Sequence, residues 1–553
     1  MILVLLVWIL ILFVFFVLGF SVVKTIDIFT GRNERSTFAF DEFFFTGFLT
    51  LSSASGIISI FIPVGNYVLL SVIIISISLF LIIFREIKLF ISGASRKISS
   101  FNKFQLLFLS FIIIFIMASV VQKITLGDTE SYHAQTIQWI RKYAVVPGLG
   151  NIHARLAYNS MFFVISGLYT FQIRDILLFP LNGICYIILI IRLMILFGKE
   201  IRQGAIWKAV FYSLIFLISF LILIPDLNSP SPDIICAILI IYVFILSITI
   251  AEEKKELNLI RFILLNLIVF SCITFKISSL LLVSLILFFL NKEILKRIKV
   301  VITVVVLVFS SFIVRNYYLS GYVIYPFSKL DIYNTDWKIP ADNVNAEKSA
   351  IEGWAKIWTA PYPDVVNMKI QEWILPWFKL LNIANKVLVT INFLSIFTLI
   401  IMLIKRDFFL ATLQLIILIN LVFWFLMAPD PRFAYGFIFL GTSMTLAYII
   451  KLFESMGITG LFKYIKICLV CLLLLVISKR IRFPLVTAGN PSLWILPAPF
   501  GTVETKNYYS DFEYRVPIPE GGCFNVEIPC VPYPLKDIVL RGKSIQDGFK
   551  IKN

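Results

Sequence analysis

Two acidic residues, Asp128 and Glu130, lie one residue apart directly after a long hydrophobic segment. Carboxylates at the edge of a membrane are costly to keep near lipid, so we treat them first as candidates for function. A carboxylate in this place could accept a proton from a hydroxyl group and act as a general base. The alternative is that both acids stabilise the start of the helix expected near Ser131, because acids favour helix N-termini.

Other ionisable residues lie at the ends of hydrophobic segments that we place on the same side of the membrane. These candidate binding residues are His133, His153, Arg155, Asp233, Lys276, Arg315, Asp336 and Arg432, and Asp226, Asp331 and Asp430 lie near them in the sequence. Such a set could hold a sugar or a lipid head group. Each member has a structural alternative: the histidines as hydrogen-bonding groups, the proline-rich turn 225–233 as a helix stop, and Lys276 and Arg432 as cations at the lipid interface.

The sequence gives no compact metal motif. The chain has only two histidines, 20 residues apart, and this spacing does not match the usual zinc sites. We expect no cofactor, although a divalent cation held by Asp128 and Glu130 is left open. No glycine-rich phosphate loop is present, which disfavours a nucleotide-sugar substrate.

Composition places the chain among multi-pass membrane proteins. Of its 553 residues, 59% are hydrophobic and the mean hydropathy is +0.94, above the range of soluble domains. The apolar runs are long and continuous, which predicts helices rather than a barrel. We predict about 14 membrane spans, at 1–22, 43–61, 67–84, 105–121, 176–197, 209–224, 234–251, 258–274, 277–290, 299–314, 384–404, 408–427, 433–451 and 463–478.

The net charge of +17 follows from the positive-inside rule, so we expect no nucleic-acid partner. Short loops assigned to the inner side hold 22 lysines and arginines, whereas short outer loops hold only Lys276 and Arg432. This assignment requires the apolar segment 161–173 to lie along the membrane interface, since a further span there would invert every later loop. We read 1–20 as a retained span rather than a signal peptide.

Three polar segments are then expected outside, at 122–175, 315–383 and 479–553. The last contains nine prolines and is predicted to form a small extended or β-structured cap. Its Cys523 and Cys530 could form a disulfide in an oxidising compartment, and two free thiols are the alternative. The expected organisation is an N-terminal three-helix membrane segment (1–104), a transmembrane core (105–478) and an extracytoplasmic C-terminal cap (479–553).

The run Leu126-Gly-Asp-Thr-Glu-Ser-Tyr132 resembles the acidic motif of GT-C integral-membrane glycosyltransferases, such as protein O-mannosyltransferases and aminoarabinose transferases. In that class the motif lies in a large first outer loop, followed by two juxtamembrane helices, here 134–145 and 161–173. The likeness covers mainly 105–450, and three extra spans precede the motif here, whereas many members of the class have one span before it.

Several other stretches are similar to an uncharacterised bacterial family of multi-spanning membrane proteins. They are Gly148–Asn159, Ser229–Asp233, Arg315-Asn316, Ser320–Pro326, Asp336–Pro340, Pro429–Phe433 and Arg541-Gly542. This likeness extends over nearly the whole chain, but it does not imply a particular reaction. This resemblance implies a multi-pass protein of the bacterial cytoplasmic membrane.

The GT-C resemblance implies an all-α polytopic fold and an inverting transfer of sugar from a polyprenyl-phosphate donor to an extracytoplasmic glycan, lipid or protein acceptor. Asp128 would be the general base, Glu130 would position the acceptor, and Lys276, Arg315 and Arg432 would neutralise the donor phosphate. Two alternatives stay open: a transporter or flippase of lipid-linked saccharide, which would need ionisable groups deep in the membrane, and an O-antigen polymerase or ligase type of transferase.

The first prediction concerns the topology. In intact cells, a cysteine introduced at Ser510 should react with a membrane-impermeant thiol reagent, whereas one at Gly204 should react only after the membrane is opened, because the lysines and arginines of 199–208 hold that loop inside. The five native cysteines outside the tail are first replaced to remove their background. Equal labelling at both positions in intact cells would refute this topology.

Overall fold

Helices form most of the protein, with a few short strands. The computed structural model describes residues 1–30, 38–98, 103–252, 259–290, 295–296, 298–458 and 461–552. Within this part of the chain, ten helices are long and apolar enough to cross a membrane. They span Ile2–Phe29, Phe40–Phe61, Lys103–Val120, Leu181–Gln203, Ile206–Asp226, Pro232–Glu252, Ile298–Ser320, Ile383–Ile404, Phe408–Met427 and Pro431–Ser455.

The other four predicted spans are also helical, but they do not meet the same criterion. Asn66–Ile82 is bent by 78° against Phe84–Gly93, and this pair raises the number of candidate spans to 11 if it counts as one. Leu259–Phe275 and Ile277–Phe289 are shorter apolar helices, and Leu461–Arg480 ends in two basic residues. The predicted positions of the apolar segments are therefore matched by helices, while the number of spans established by length and composition is about ten rather than 14.

The first two helices, α1 (Ile2–Thr30) and α2 (Phe40–Phe61), cross at a pair of glycines. A Cβ atom on Gly19 would come within 1.8 Å of the Phe43 carbonyl oxygen, and one on Gly47 within 1.9 Å of the Phe15 carbonyl oxygen. Small residues allow this close approach of two backbones, which compensates in a membrane for the weak hydrophobic driving force between helices.

The segment predicted as an interfacial helix at 161–173 differs in the structure. The helix Met161–Leu168 has only eight residues, all buried within the protein, and Phe171–Ile173 then pairs with Ile176–Leu178 as an antiparallel hairpin. A helix that is apolar on all sides has no face suited to water or head groups, which explains its burial. The helix is therefore shorter than the 13 residues predicted, and, as predicted, it is not among the helices long and apolar enough to cross a membrane.

Shorter helices build the two long polar loops. The first loop contains Ala134–Lys142, slightly shorter than the predicted 134–145. The second contains Ala341–Lys356, Tyr362–Val366 and Ile370–Leu380. Trp377 in the last of these donates a hydrogen bond to the Pro429 carbonyl at 2.8 Å, so this helix is tied to the turn that carries Arg432.

The C-terminal segment is partly helical, which corrects the expectation that all of 479–553 is extended or β-structured. Arg482–Gly489 and Pro491–Ile495 are helices, and only then do four strands follow. The strands Glu504–Tyr509 and Glu513–Ile518 form one antiparallel pair, and Ile538–Leu540 and Phe549–Ile551 form another. A disulfide joins Cys523 to Cys530, as one of the two sequence alternatives predicts.

This β-structured cap, residues 504–551, packs on the first loop. Phe512, Tyr514 and Phe549 share a buried cluster with Trp139 and Leu149 of that loop. The Phe549 amide donates to the Pro147 carbonyl at 2.9 Å, and the Phe524 amide donates to the Glu130 carbonyl at 2.8 Å. The first loop and the tail, both expected on the outer side, are therefore in direct contact.

A buried ionic group lies among the apolar helices, and it was not predicted from the sequence. The Arg261 Nε atom lies 3.0 Å from a carboxylate oxygen of Glu42, and Arg192 lies 3.6 Å from Asp41. Tyr242 donates a hydrogen bond to Asp41 at 2.7 Å. The sequence does not reveal this group, because its residues come from four different helices and meet only in the folded chain.

Candidate functional site

The acidic motif is held by a short π-helix, Thr129–His133, directly after Asp128. π-Helices are rare in proteins, and those that occur are often found at functional sites. The Thr129 hydroxyl lies 2.8 Å from the Ser229 hydroxyl, and Asn182 donates to the Ser229 carbonyl at 2.7 Å. The proline-rich turn 225–233 therefore fixes the position of the motif, in addition to ending a helix.

Asp128 is shared between two arginines from distant parts of the chain. One carboxylate oxygen lies 3.1 Å from Arg432 Nη1, and the other lies 3.7 Å from Arg155 Nη1. About a quarter of the Asp128 and Arg432 side chains is exposed. The pair is thus accessible to a ligand, unlike the ionic group among the spans.

Arg432 is positioned by its own turn and by an aromatic ring. The Asp430 carboxylate accepts a hydrogen bond from the Arg432 amide at 2.8 Å and lies 3.4 Å from its guanidinium. The indole of Trp354 lies 5.2 Å from the same guanidinium, within the range of a cation–π contact. The rigid Pro-Asp-Pro-Arg turn thereby presents Arg432 to Asp128.

Lys276 forms a second ion pair beside the first. It pairs with Asp233, and its ammonium lies 3.6 Å from the centre of the Phe433 ring. Because Phe433 follows Arg432 in the chain, the two cations are close neighbours. We call Asp128, Arg155, Asp233, Lys276, Asp430 and Arg432 the acid–arginine cluster.

Sequence reasoning missed Glu347, which extends this cluster. Its carboxylate lies 3.8 Å from Arg155 and accepts a hydrogen bond from the Tyr158 hydroxyl. Glu347 is one of several charged residues on the helix Ala341–Lys356, so nothing in the sequence distinguishes it from its neighbours. Trp354 on the same helix was also missed, because it is one of five tryptophans in the polar segment 315–383.

The two acids of the motif differ in their electrostatic surroundings. Burial opposes ionisation of Asp128, but the charges of His133, Arg432 and Arg155 and the hydrogen bond from Arg432 outweigh it and lower its pKa below the usual value. Partial burial raises the pKa of Glu130, and the nearby Lys123 only partly offsets this. Asp128 is therefore held as a carboxylate by its arginines, whereas Glu130 is outside their contacts.

Burial lowers the pKa of both histidines to about 4. His133 is packed against Phe163, with ring centres 5.0 Å apart, and one ring nitrogen lies 3.4 Å from the Thr129 hydroxyl. For His153, the positive charge of Arg155 adds to the effect of burial. Both rings are neutral at neutral pH, so the arginines are the cations that act on Asp128 there.

Besides the two histidines, two predicted binding residues, Arg315 and Asp336, lie outside the acid–arginine cluster. Arg315 is buried and donates to Asn159 at 3.1 Å and to Ser59 at 2.8 Å. Asp336 instead pairs with Arg541 of the cap at 2.9 Å, and this hydrogen bond lowers its pKa. Among the described residues, no group of three or more histidine, cysteine or acidic side chains is arranged to hold a metal ion.

Comparison with known proteins gives a family but no reaction. The family DUF8201, described as a domain of unknown function, matches residues 1–439. The chain belongs to this family. The match includes every residue of the acid–arginine cluster and ends before the cap. No curated protein and no solved structure matches the chain.

The second prediction concerns pH. An unfolded histidine has a pKa near 6.5, whereas both folded histidines have a pKa of about 4, so the unfolded state binds more protons between these values. Stability should therefore fall as the pH is lowered from 6.5 towards 4, by up to about 3 kcal/mol for the buried His133.

Thermal unfolding in nanodiscs between pH 7.5 and 4.5 measures this effect. Because the chain has no other histidine, the His133→Gln, His153→Gln double variant should show a flatter pH dependence in this window. His153→Gln alone is the matched control, and it should retain the part due to His133. An unchanged slope in the double variant would contradict the assignment of two neutral histidines.

Proposed function

We propose that the protein is a membrane glycosyltransferase that moves a sugar from a polyprenyl-phosphate-linked donor to an acceptor hydroxyl. The proposal is carried by the contact of Asp128 with Arg432, which joins the acidic motif to a cation at the start of an apolar helix. A carboxylate and a cation side by side are the two groups that such a transfer needs.

The cations of the cluster suit the phosphate of a lipid-linked donor. Arg432 and Lys276 each lie at the end of an apolar helix, where the phosphate of a lipid in the adjacent leaflet would be found. Arginine can bind phosphate through two parallel hydrogen bonds, and lysine adds a point charge. The exposed ring of Trp354 beside Arg432 adds an apolar surface suited to a sugar or to the first part of the lipid.

The reaction is then a single displacement at the anomeric carbon. The acceptor oxygen forms the new bond to this carbon as its proton passes to the Asp128 carboxylate, and the bond from the carbon to the phosphate oxygen breaks. The electron pair of that bond leaves with polyprenyl phosphate, whose added negative charge Arg432 and Lys276 stabilise. The configuration of the sugar is inverted.

The pairing of Asp128 with arginines makes it a weak base in the free protein. A donor phosphate that binds Arg432 would compete with Asp128 for the same guanidinium. Loss of that partner would raise the pKa of Asp128 and strengthen it as a base only when the donor is present. In this view the ion pair links donor binding to activation of the acceptor.

A carrier of lipid-linked saccharide is the second candidate. The ionic group of Asp41, Glu42, Arg192 and Arg261 favours it, because ionisable groups buried among membrane helices often line transport pathways. This group is charge-balanced in its observed contacts, which equally suits a structural role that fixes the N-terminal helices. The two functions are distinguished by whether purified protein transfers sugar.

The third prediction tests the base. Asp128→Asn keeps the size of the side chain but cannot accept a proton, so the transfer rate from a polyprenyl-phosphate sugar should fall by about 10²–10⁴. The assay uses purified protein in nanodiscs. Glu130→Gln, the matched control from the same motif, should retain more activity because Glu130 lies outside the arginine contacts. Normal transfer by Asp128→Asn would retire its assignment as the base, and no transfer by the unaltered protein would favour the carrier.

The fourth prediction tests the donor contact. Arg432→Ala should weaken binding of a non-reactive polyprenyl-phosphate sugar analogue by about 1.5–3 kcal/mol, the value of a charge-assisted hydrogen bond. Arg515→Ala is the control, since Arg515 pairs with Glu527 within the cap and should leave the affinity unchanged. Equal affinity in the two variants would assign Arg432 to positioning Asp128 alone.

A further inference from the structure

Arg315 is a buried cation with only neutral partners. Only 4% of its surface is exposed, and it donates to the Asn159 side-chain oxygen and to the Ser59 hydroxyl. Throughout the described ranges, no carboxylate lies within ion-pair distance of it. The contrast with Arg432, Arg192 and Arg261 is clear, since each of those has an acidic neighbour.

This arrangement leaves a full charge uncompensated. Arginine does not lose its proton in proteins, so the guanidinium cannot relieve the cost of burial by becoming neutral. Hydrogen bonds to neutral oxygens satisfy its N–H groups but do not balance its charge, and an unpaired buried charge is strongly destabilising. The position therefore calls for an anion that the protein chain does not supply.

A narrow cavity beside Arg315 offers a place for that anion. It has room for about one group of the size of a water molecule, and its lining includes Arg315, Trp139, Tyr143 and Asn159. Trp139 lines this cavity, and its buried indole N–H has no hydrogen-bond acceptor. A cation without a counter-ion and a donor without an acceptor thus line the same space.

We propose that this cavity binds a small monovalent anion of the size of chloride, with Arg315 and Trp139 as its ligands. The space between the lining atoms admits a group of about the size of a water molecule and not a sugar ring. This site is distinct from the acid–arginine cluster, because the contacts of Arg315 and those of Arg432 share no residue.

The bound anion would stabilise a joint of the fold. Arg315 connects Ser59 at the end of α2 with Asn159 of the first loop, and Arg155 lies on the turn directly before Asn159. An anion at Arg315 would hold this loop in place without touching the substrate. Its effect is therefore expected on stability first.

Thermal unfolding in nanodiscs, with chloride replaced stepwise by gluconate at constant ionic strength, tests the proposal. The melting temperature of the unaltered protein should rise with chloride and saturate. Arg315→Met should lower the apparent chloride affinity at least tenfold. Trp139→Phe keeps an aromatic ring but removes the N–H donor, so it should lower the chloride affinity by a smaller factor. This variant also tests the site if Arg315→Met does not fold.

Arg432→Met separates this site from the acid–arginine cluster, and it should retain the chloride dependence of the unaltered protein. A crystal or cryogenic structure in bromide should place the anion between Arg315 and Trp139. The proposal is overturned if chloride does not stabilise the unaltered protein, or if Arg432→Met removes the dependence and Trp139→Phe leaves it unchanged. Sugar transfer enters none of these measurements, so failure here is independent of the proposed function.

Discussion

The site depends on one constraint: in a protein that is mostly apolar, an ionised side chain needs a partner of opposite charge. Asp128 and Arg432 are 304 residues apart in the chain, and they meet because neither is well accommodated alone near lipid. Through Arg155 and Glu347 the same requirement reaches a helix of the second polar loop. Four parts of the chain are thereby joined at one place by charge rather than by the shape of apolar side chains.

This pairing also determines what a ligand must do. The cluster contains three cations, at Arg155, Lys276 and Arg432, and three carboxylates, at Asp128, Asp233 and Asp430. An anion that enters must displace a carboxylate from its ion pair with one of these cations. The free energy of breaking that pair reduces the affinity for the anion. The benefit is selectivity, since an uncharged sugar or lipid gains nothing from the exchange. Arg315 has no such competitor and can hold a weakly bound ion.

The sequence was sufficient for features that depend on neighbours in the chain. Length and continuity of apolar runs located the helices, and charge at the ends of those runs located Asp128, Arg155, Asp233, Lys276 and Arg432. Features that depend on distant segments were beyond it. The burial of 161–168 requires a protein environment that hydropathy does not describe, and the pairing of Arg315 with neutral groups could not be distinguished from a phosphate contact. Glu347 has no sequence property that separates it from other acids of its helix.

The cap places a condition on how the protein is made. Backbone and side-chain groups near the acidic motif, at Glu130 and Gln135, are hydrogen-bonded to Phe524 and Val526, which the ribosome adds almost 400 residues later. Domains usually fold from the N-terminus as synthesis proceeds, yet this loop must wait, with part of its hydrogen bonding supplied by water, until the last strands arrive. Completion of the chain is thus also the moment at which the loop around Asp128 is closed, so a prematurely ended chain would hold the helices and the charges without the surface that encloses them.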